Sequence, residues 1–165
     1  MKWGEGLERF MELYETVYRD LYRLAYSYLG NAQDAEDAVG DTALRAYENF
    51  SSLRRPEAFR AWIFRILVNQ CKSCLRRRAR KGTVELKEEL VYEPELTERT
   101  RVLELLADLA PEERQIVSLA VFGGFRGEEI ARILRRNHST VRSRYRRALK
   151  KLEKSIQEEE VRRDA

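Results

Sequence analysis

The spacing of its apolar residues restricts this chain more than any other feature. Phe10, Leu13, Tyr14, Val17, Leu21, Leu24 and Tyr28 recur mostly at intervals of three and four. An α-helix turns once in about 3.6 residues, so these side chains share one side of a helix. Ala35, Ala38, Val39, Thr42, Ala46 and Phe50 repeat the pattern from about Asn31 onward. Phe59, Trp62, Ile63, Ile66, Leu67 and Leu75 predict a third helix that opens near Pro56. No useful length of alternating residues suggests a strand. Eight Gly and three Pro in 165 residues leave room for few turns. The chain is expected to be all-α.

Gly82 to about Thr97 breaks the pattern: it is acidic, contains Pro94 and shows no helical period, so it reads as a linker. The period resumes at Val102, Leu105, Leu106 and Leu109. Pro111-Glu112-Glu113 suits a helix start, with Ile116, Val117, Leu119 and Ala120 inward and Gly123-Gly124 as its end. Ile130, Ala131 and Leu134 mark a short helix. Asn137 is the expected cap of a last one carrying Val141, Tyr145, Ala148, Leu149 and Leu152. The expected organisation is two small helical domains, 7–81 and 101–157, joined by an acidic linker over 82–100.

The formal charge of +4 conceals strong segregation. Residues 1–53 hold 5 basic and 10 acidic side chains, residues 54–81 hold 10 and 1, and residues 82–100 hold 2 and 6. Residues 126–151 again hold 10 and 2. Two basic blocks separated by acid point to two surfaces that meet nucleic acid. No apolar run approaches the roughly 20 residues that span a bilayer. MKWGEGLERF lacks the apolar core of a signal peptide. A cytoplasmic chain without membrane insertion is expected.

EEIARILRRNHSTVRSRYRRALKKL has the anatomy of a helix-turn-helix: a short helix with small Ala131, a tight polar turn and a longer basic helix. At about 100° per residue, Ser139, Ser143, Arg146, Arg147 and Lys150 lie opposite the apolar side, flanked by Thr140 and Arg142. Arginines bond guanine edges in pairs and hydroxyls suit phosphates. Arg65, Asn69, Lys72 and Arg76 form a second stripe on the third helix, an amide among cations. The loop before it, Asn49–Glu57, is placed to hold an unstacked base. The run RRRARK at 76–81 also suits the negative end of a helix dipole.

DAEDAVGD, Asp34–Asp41, puts four carboxylates in eight residues of a basic protein. Asp34, Asp37, Asp41 and Glu48 share an arc with Leu44 and Arg45, away from the apolar side. Like charges so spaced cost helix stability, and a basic, partly apolar protein partner accounts for them. A two-metal enzyme would need a second converging acid cluster. The chain offers none with a His partner, since His138 is its one histidine. Cys71 and Cys74 lack the second pair that a zinc site needs and fall toward the apolar side. No catalytic residue, metal or cofactor is expected.

Together these segments resemble an extracytoplasmic-function (ECF, group IV) sigma factor of bacterial RNA polymerase. LYRLAYSYLGNAQDAEDAVGDTALRAY is similar to the first helices of sigma region 2, and AFRAWIFRILVNQCKSCLRRR to its promoter-melting part. LADLAPEERQIVSLAVFGGFRGEEIARILRRNHSTVRSRYRRALKKL resembles region 4, with its TVRSR signature. The resemblance implies promoter-specific initiation with core polymerase. Asp34, Asp37, Asp41, Leu44 and Glu48 would meet the clamp coiled coil of the β′ subunit, and region 4 the β flap. Arg65, Asn69, Lys72 and Arg76 would approach the −10 element, with the preceding loop capturing a flipped base. Thr140, Arg142, Ser143, Arg146 and Arg147 would enter the major groove at the −35 element. The linker would thread the polymerase cleft. An anti-sigma factor, in some cases membrane-bound, would hold the free protein inactive.

Gly40 stands where the family has Gln, Arg126-Gly127 where it has Ser and an aromatic, Arg135 where it has a turn Gly, and Ser139 where it has Gly. The helix after Arg126 is therefore expected to lack its usual cap. A stand-alone dimeric helix-turn-helix regulator would share the C-terminal half but leaves the acidic helix and the second basic stripe unexplained.

Overall fold

The structure, a computed structural model, describes residues 3–82 and 96–165. The chain divides into two compact units, Met1–Lys87 and Glu88–Ala165. Among the described residues every regular element is helical.

The N-terminal unit packs α1 (Trp3–Leu29), α2 (Ala32–Glu48) and α3 (Phe59–Lys81) against one another, with short 3₁₀ turns at Phe50–Ser52 and Pro56–Ala58. α1 ends where Gly30 takes a left-handed backbone, φ +69°, and donates its N–H to the Tyr26 carbonyl at 2.8 Å. Asn31 caps α2, its Oδ1 accepting from the Asp34 N–H at 2.9 Å. The predicted inner face of α2 is buried at Ala35, Ala38, Val39, Thr42 and Ala46, while Phe50 belongs to the following turn. Pro56 opens that second 3₁₀ turn rather than α3 itself.

Side-chain volume decides how α3 turns. Phe59, Ile63, Phe64, Leu67, Val68, Cys71 and Cys74 are buried, whereas the expected core residues Trp62, Ile66 and Leu75 are half-buried. Phe10 explains part of this choice. Its ring lies 5.4 Å from Phe50, 5.5 Å from Tyr47 and 6.0 Å from Phe59, edge-on to each. Burying Phe59 in this cluster rotates the Trp62 edge of α3 outward. Substituting Phe10 by Ala would cost about 3–5 kcal/mol.

The C-terminal unit holds α4 (Leu96–Ala107), α5 (Pro111–Val121), α6 (Gly127–Leu134) and α7 (His138–Asp164). Its helix begins at Leu96, inside the stretch expected as linker, and α7 runs beyond the expected 157. Residues 83–95 lie outside the described residues. Leu106, Leu109, Val117 and Ala148 form a core on which Phe122, Tyr145 and Leu152 pack. Val102 and Leu149, expected inward, are 42% exposed each. Gly123 is required by close approach: a Cβ there would stand 2.5 Å from the Phe125 ring and 2.6 Å from the Leu119 carbonyl oxygen.

Two caps differ from expectation. Asn137 precedes α7 but its side chain caps no N–H. Arg126 offers no acceptor, yet α6 is not left open. The Glu129 carboxylate reaches back and accepts the Arg126 backbone N–H at 3.1 Å, half of a capping box.

Candidate nucleic-acid and polymerase interfaces

The two predicted basic faces and the acidic face are all on the surface, but the fold binds some of their charges internally. On α7, Val141 and Ala148 are fully buried against the unit's core. Arg142, Ser143, Arg146, Arg147 and Lys150 are consequently exposed, with Ser139, and Thr140 is half-buried. The Ser143 hydroxyl donates to the Thr140 carbonyl at 3.4 Å, so it is oriented along the helix.

Acids on α5 sort the α7 cations. Glu112 pairs with Arg144 and, at 3.2 Å, with Arg136 in the turn. Glu113, 5% exposed, accepts from Lys151 at 2.7 Å. Arg142, Arg146, Arg147 and Lys150 enter no ion pair with a described residue. Four cations are thereby left for an outside polyanion while two others lock α7 to α5. The sequence pattern did not distinguish these groups, because Glu112 and Arg144 are 32 residues apart.

On α3, Arg65, Asn69 and Arg76 are exposed and Lys72 is half-buried, in one stripe opposite the Ile63–Leu67–Cys74 side. Trp62 and Ile66, predicted as core, border this stripe and give it an apolar edge on which a base can stack. Arg60 lies on another side, 2.9 Å from Asp20 and with its guanidinium 5.1 Å from the Phe64 ring centroid. The Phe50–Pro56 segment and the start of α1 enclose an open cleft of about 280 Å³ lined by Glu5, Arg9, Phe50, Leu53, Arg54 and Pro56.

Arg78 stands apart from the rest of RRRARK. It pairs with Asp34 and donates Nη1–H to the Leu29 carbonyl at 2.8 Å. The sequence places Arg78 in the basic block 54–81, as part of a run that suits the helix dipole, and Asp34 in the acidic patch. The structure instead joins the two across 44 residues, tying the end of α1, the start of α2 and the last part of α3. The rest of the acidic arc is open: Asp37, Asp41 and Glu48 are exposed, and Leu44 is 64% exposed. Gln33 donates to Asp37 at 3.1 Å.

Cys71 and Cys74 are buried on the inner side of α3. Burial pushes the Cys71 thiol up to about 12 and raises Cys74 as well. Neither is poised as a thiolate nucleophile or ligand. Among the described residues, no three His, Cys, Asp or Glu side chains come together as a metal set.

Two successive segments of the chain match known protein families. Residues 13–81 match the family described as Sigma-70 region 2, and residues 99–152 that described as Sigma-70, region 4. RNA polymerase sigma factor SigV of Bacillus subtilis is 31% identical over 147 residues, covering 87% of this chain and 88% of that protein. The ECF RNA polymerase sigma factor SigM of Mycobacterium tuberculosis is 33% identical over 150 residues, 87% of this chain and 74% of its own length. The chain belongs to the ECF sigma factors. Its N-terminal unit is the region 2 domain and its C-terminal unit the region 4 domain. Two solved sigma-factor complexes share this fold. RpoE of Bartonella quintana, bound to the anti-sigma factor NepR, has a TM-score of 0.76 at 26% identity, covering 91% of this chain and 98% of its own. CnrH, in complex with the cytosolic domain of CnrY, has a TM-score of 0.72 at 25% identity, covering 92% and 89%. A sigma factor acts with core RNA polymerase on promoter DNA, and the region 2 match leaves the stand-alone regulator without support. No described helix is long and apolar enough to cross a membrane.

Proposed function

We propose that this sigma factor divides its work among the three faces. The Asp37–Asp41–Leu44–Glu48 arc of α2 docks on the β′ clamp coiled coil of core polymerase, with Asp34 anchoring the patch through Arg78. Arg65, Asn69, Lys72 and Arg76 on α3 engage the −10 element, and the Phe50–Pro56 cleft receives a base turned out of the duplex. Thr140, Arg142, Ser143, Arg146 and Arg147 on α7 read the −35 element in the major groove, while region 4 rests on the β flap. The protein works by binding, with no reaction, metal or cofactor of its own. It acts in the cytoplasm. An anti-sigma factor holds it inactive, and a membrane-bound one would tether it there.

One observation carries this reading. On α2 an apolar side chain that is 64% exposed sits among exposed acids, with Arg45 as the one cation on that arc, whereas Arg76 on α3 and Arg142, Arg146, Arg147 and Lys150 on α7 are exposed and enter no ion pair with a described residue. Acid repels a phosphate backbone, and an exposed Leu amid it suits a protein surface of opposite charge. Reversing Asp37 and Asp41 to Lys is expected to abolish core-polymerase binding in a pull-down and leave the thermal melt within a few degrees of wild type. Undiminished binding would contradict the assignment.

A further inference from the structure

The outer side of α1 has no role in any of the three faces. Leu7, Met11, Tyr14 and Tyr18 follow at i, i+4, i+7 and i+11, within one narrow arc of the helix. Leu7 is 46% exposed, Met11 43% and Tyr18 47%, and Tyr14 is half-buried. The Tyr14 ring stacks on Phe10 at 5.7 Å and leans on Tyr18 at 5.7 Å, so the arc is a continuation of the aromatic core onto the surface. It runs about three turns, some 16 Å. Leu7 and Met11 precede residue 13, where the match to region 2 begins. Half of the arc therefore precedes that match.

Its surroundings restrict what can cover it. Glu8, Glu12 and Glu15 are exposed along its open flank, with Arg19 as the lone cation there. Phosphate backbones and anionic lipid are repelled by such a border, since interfacial membrane helices carry Lys and Arg on it. A second copy placed arc to arc would bring glutamates against glutamates. A helix with its own apolar stripe and a Lys- or Arg-rich flank satisfies both parts: anchors at i, i+4, i+7 and i+11 are the spacing by which an amphipathic helix lies along an apolar face. Met11 adapts its shape to unlike partners.

We propose that the Leu7–Met11–Tyr14–Tyr18 arc of α1 is a docking face for a basic amphipathic helix of a partner protein. This face is distinct from the α2 arc assigned to core polymerase.

The test uses the full chain and two synthetic 18-residue amphipathic helices with the same leucine face, one flanked by Lys and one by Glu. Titration calorimetry is expected to show one Lys-flanked helix bound per chain. The Met11→Ser/Tyr18→Ser double variant, changed only at exposed positions, should bind it at least tenfold more weakly. The Asp37→Lys/Asp41→Lys variant should still bind it. The Glu-flanked helix should bind at least tenfold more weakly than its counterpart. Equal affinity of wild type and the Met11/Tyr18 variant would overturn the proposal, as would loss of binding in the α2 variant alone. So would sedimentation of the chain with phosphatidylglycerol vesicles, or a wild-type dimer in ultracentrifugation that the Met11/Tyr18 variant dissolves.

Discussion

Arg135 is the one non-glycine among the described residues with a left-handed backbone, at φ +53° and ψ +48°. It ends α6 and turns the chain toward α7, a place that glycine fills without a Cβ penalty. The penalty is about 1–2 kcal/mol for a residue with a Cβ, while glycine returns roughly 0.5–1 kcal/mol of that through its more mobile unfolded chain. Arg135→Gly should therefore stabilise region 4 by about 0.5–1 kcal/mol, seen as a rise of a few degrees in its melting temperature. Cys71 gives a pH signature in region 2. Its thiol holds the proton more tightly when folded, up to about 12, than in the unfolded chain at about 8.5. The stabilisation is complete below the lower value and is lost as pH climbs toward the upper one. The urea midpoint of region 2 should fall between pH 8 and pH 10.5 by more in wild type than in Cys71→Ala.

At the scale of elements, helix pairs are held by charges that no local pattern couples. Arg78 and Asp34 have side chains only 21% and 31% exposed, and removing either takes from the other its ion-pair partner at a partly buried position. Asp34→Ala or Arg78→Ala should each cost region 2 about 1–3 kcal/mol in chemical denaturation, and the double variant less than their sum. Asp37→Ala, on the open arc, should stay within about 0.5 kcal/mol of wild type. The inner faces of α1 and α2 were legible in the sequence because apolar spacing reports them directly. The turn of α3 was less so. Trp62 and Phe64 are both large and apolar, and only the Phe10–Phe50–Phe59 cluster, built from three separate segments, decides which of them is buried. The half capping box at Arg126 was hidden for another reason: the capping group is Glu129, while the eye falls on the missing Ser.

For the whole molecule, the alternation of acidic and basic blocks carried most of the functional reading, since formal charge needs no coordinates. Geometry then removed particular members. Arg78, Arg144 and Lys151 are bound to carboxylates inside their own units, while Arg76, Arg77, Arg80 and Lys81 on α3 and Arg142, Arg146, Arg147 and Lys150 on α7 remain exposed. Under the proposed division of contacts, each unit holds only part of the promoter-facing charge, so the isolated protein is expected to bind duplex weakly. The most direct measurement is run-off transcription with core polymerase, set beside binding of the sigma factor alone to the same promoter duplexes. The expected result is initiation at selected promoters only when core enzyme and this protein are combined, with weak binding of the isolated protein to duplex. Tight, sequence-specific duplex binding without polymerase, together with no initiation in its presence, would contradict the account.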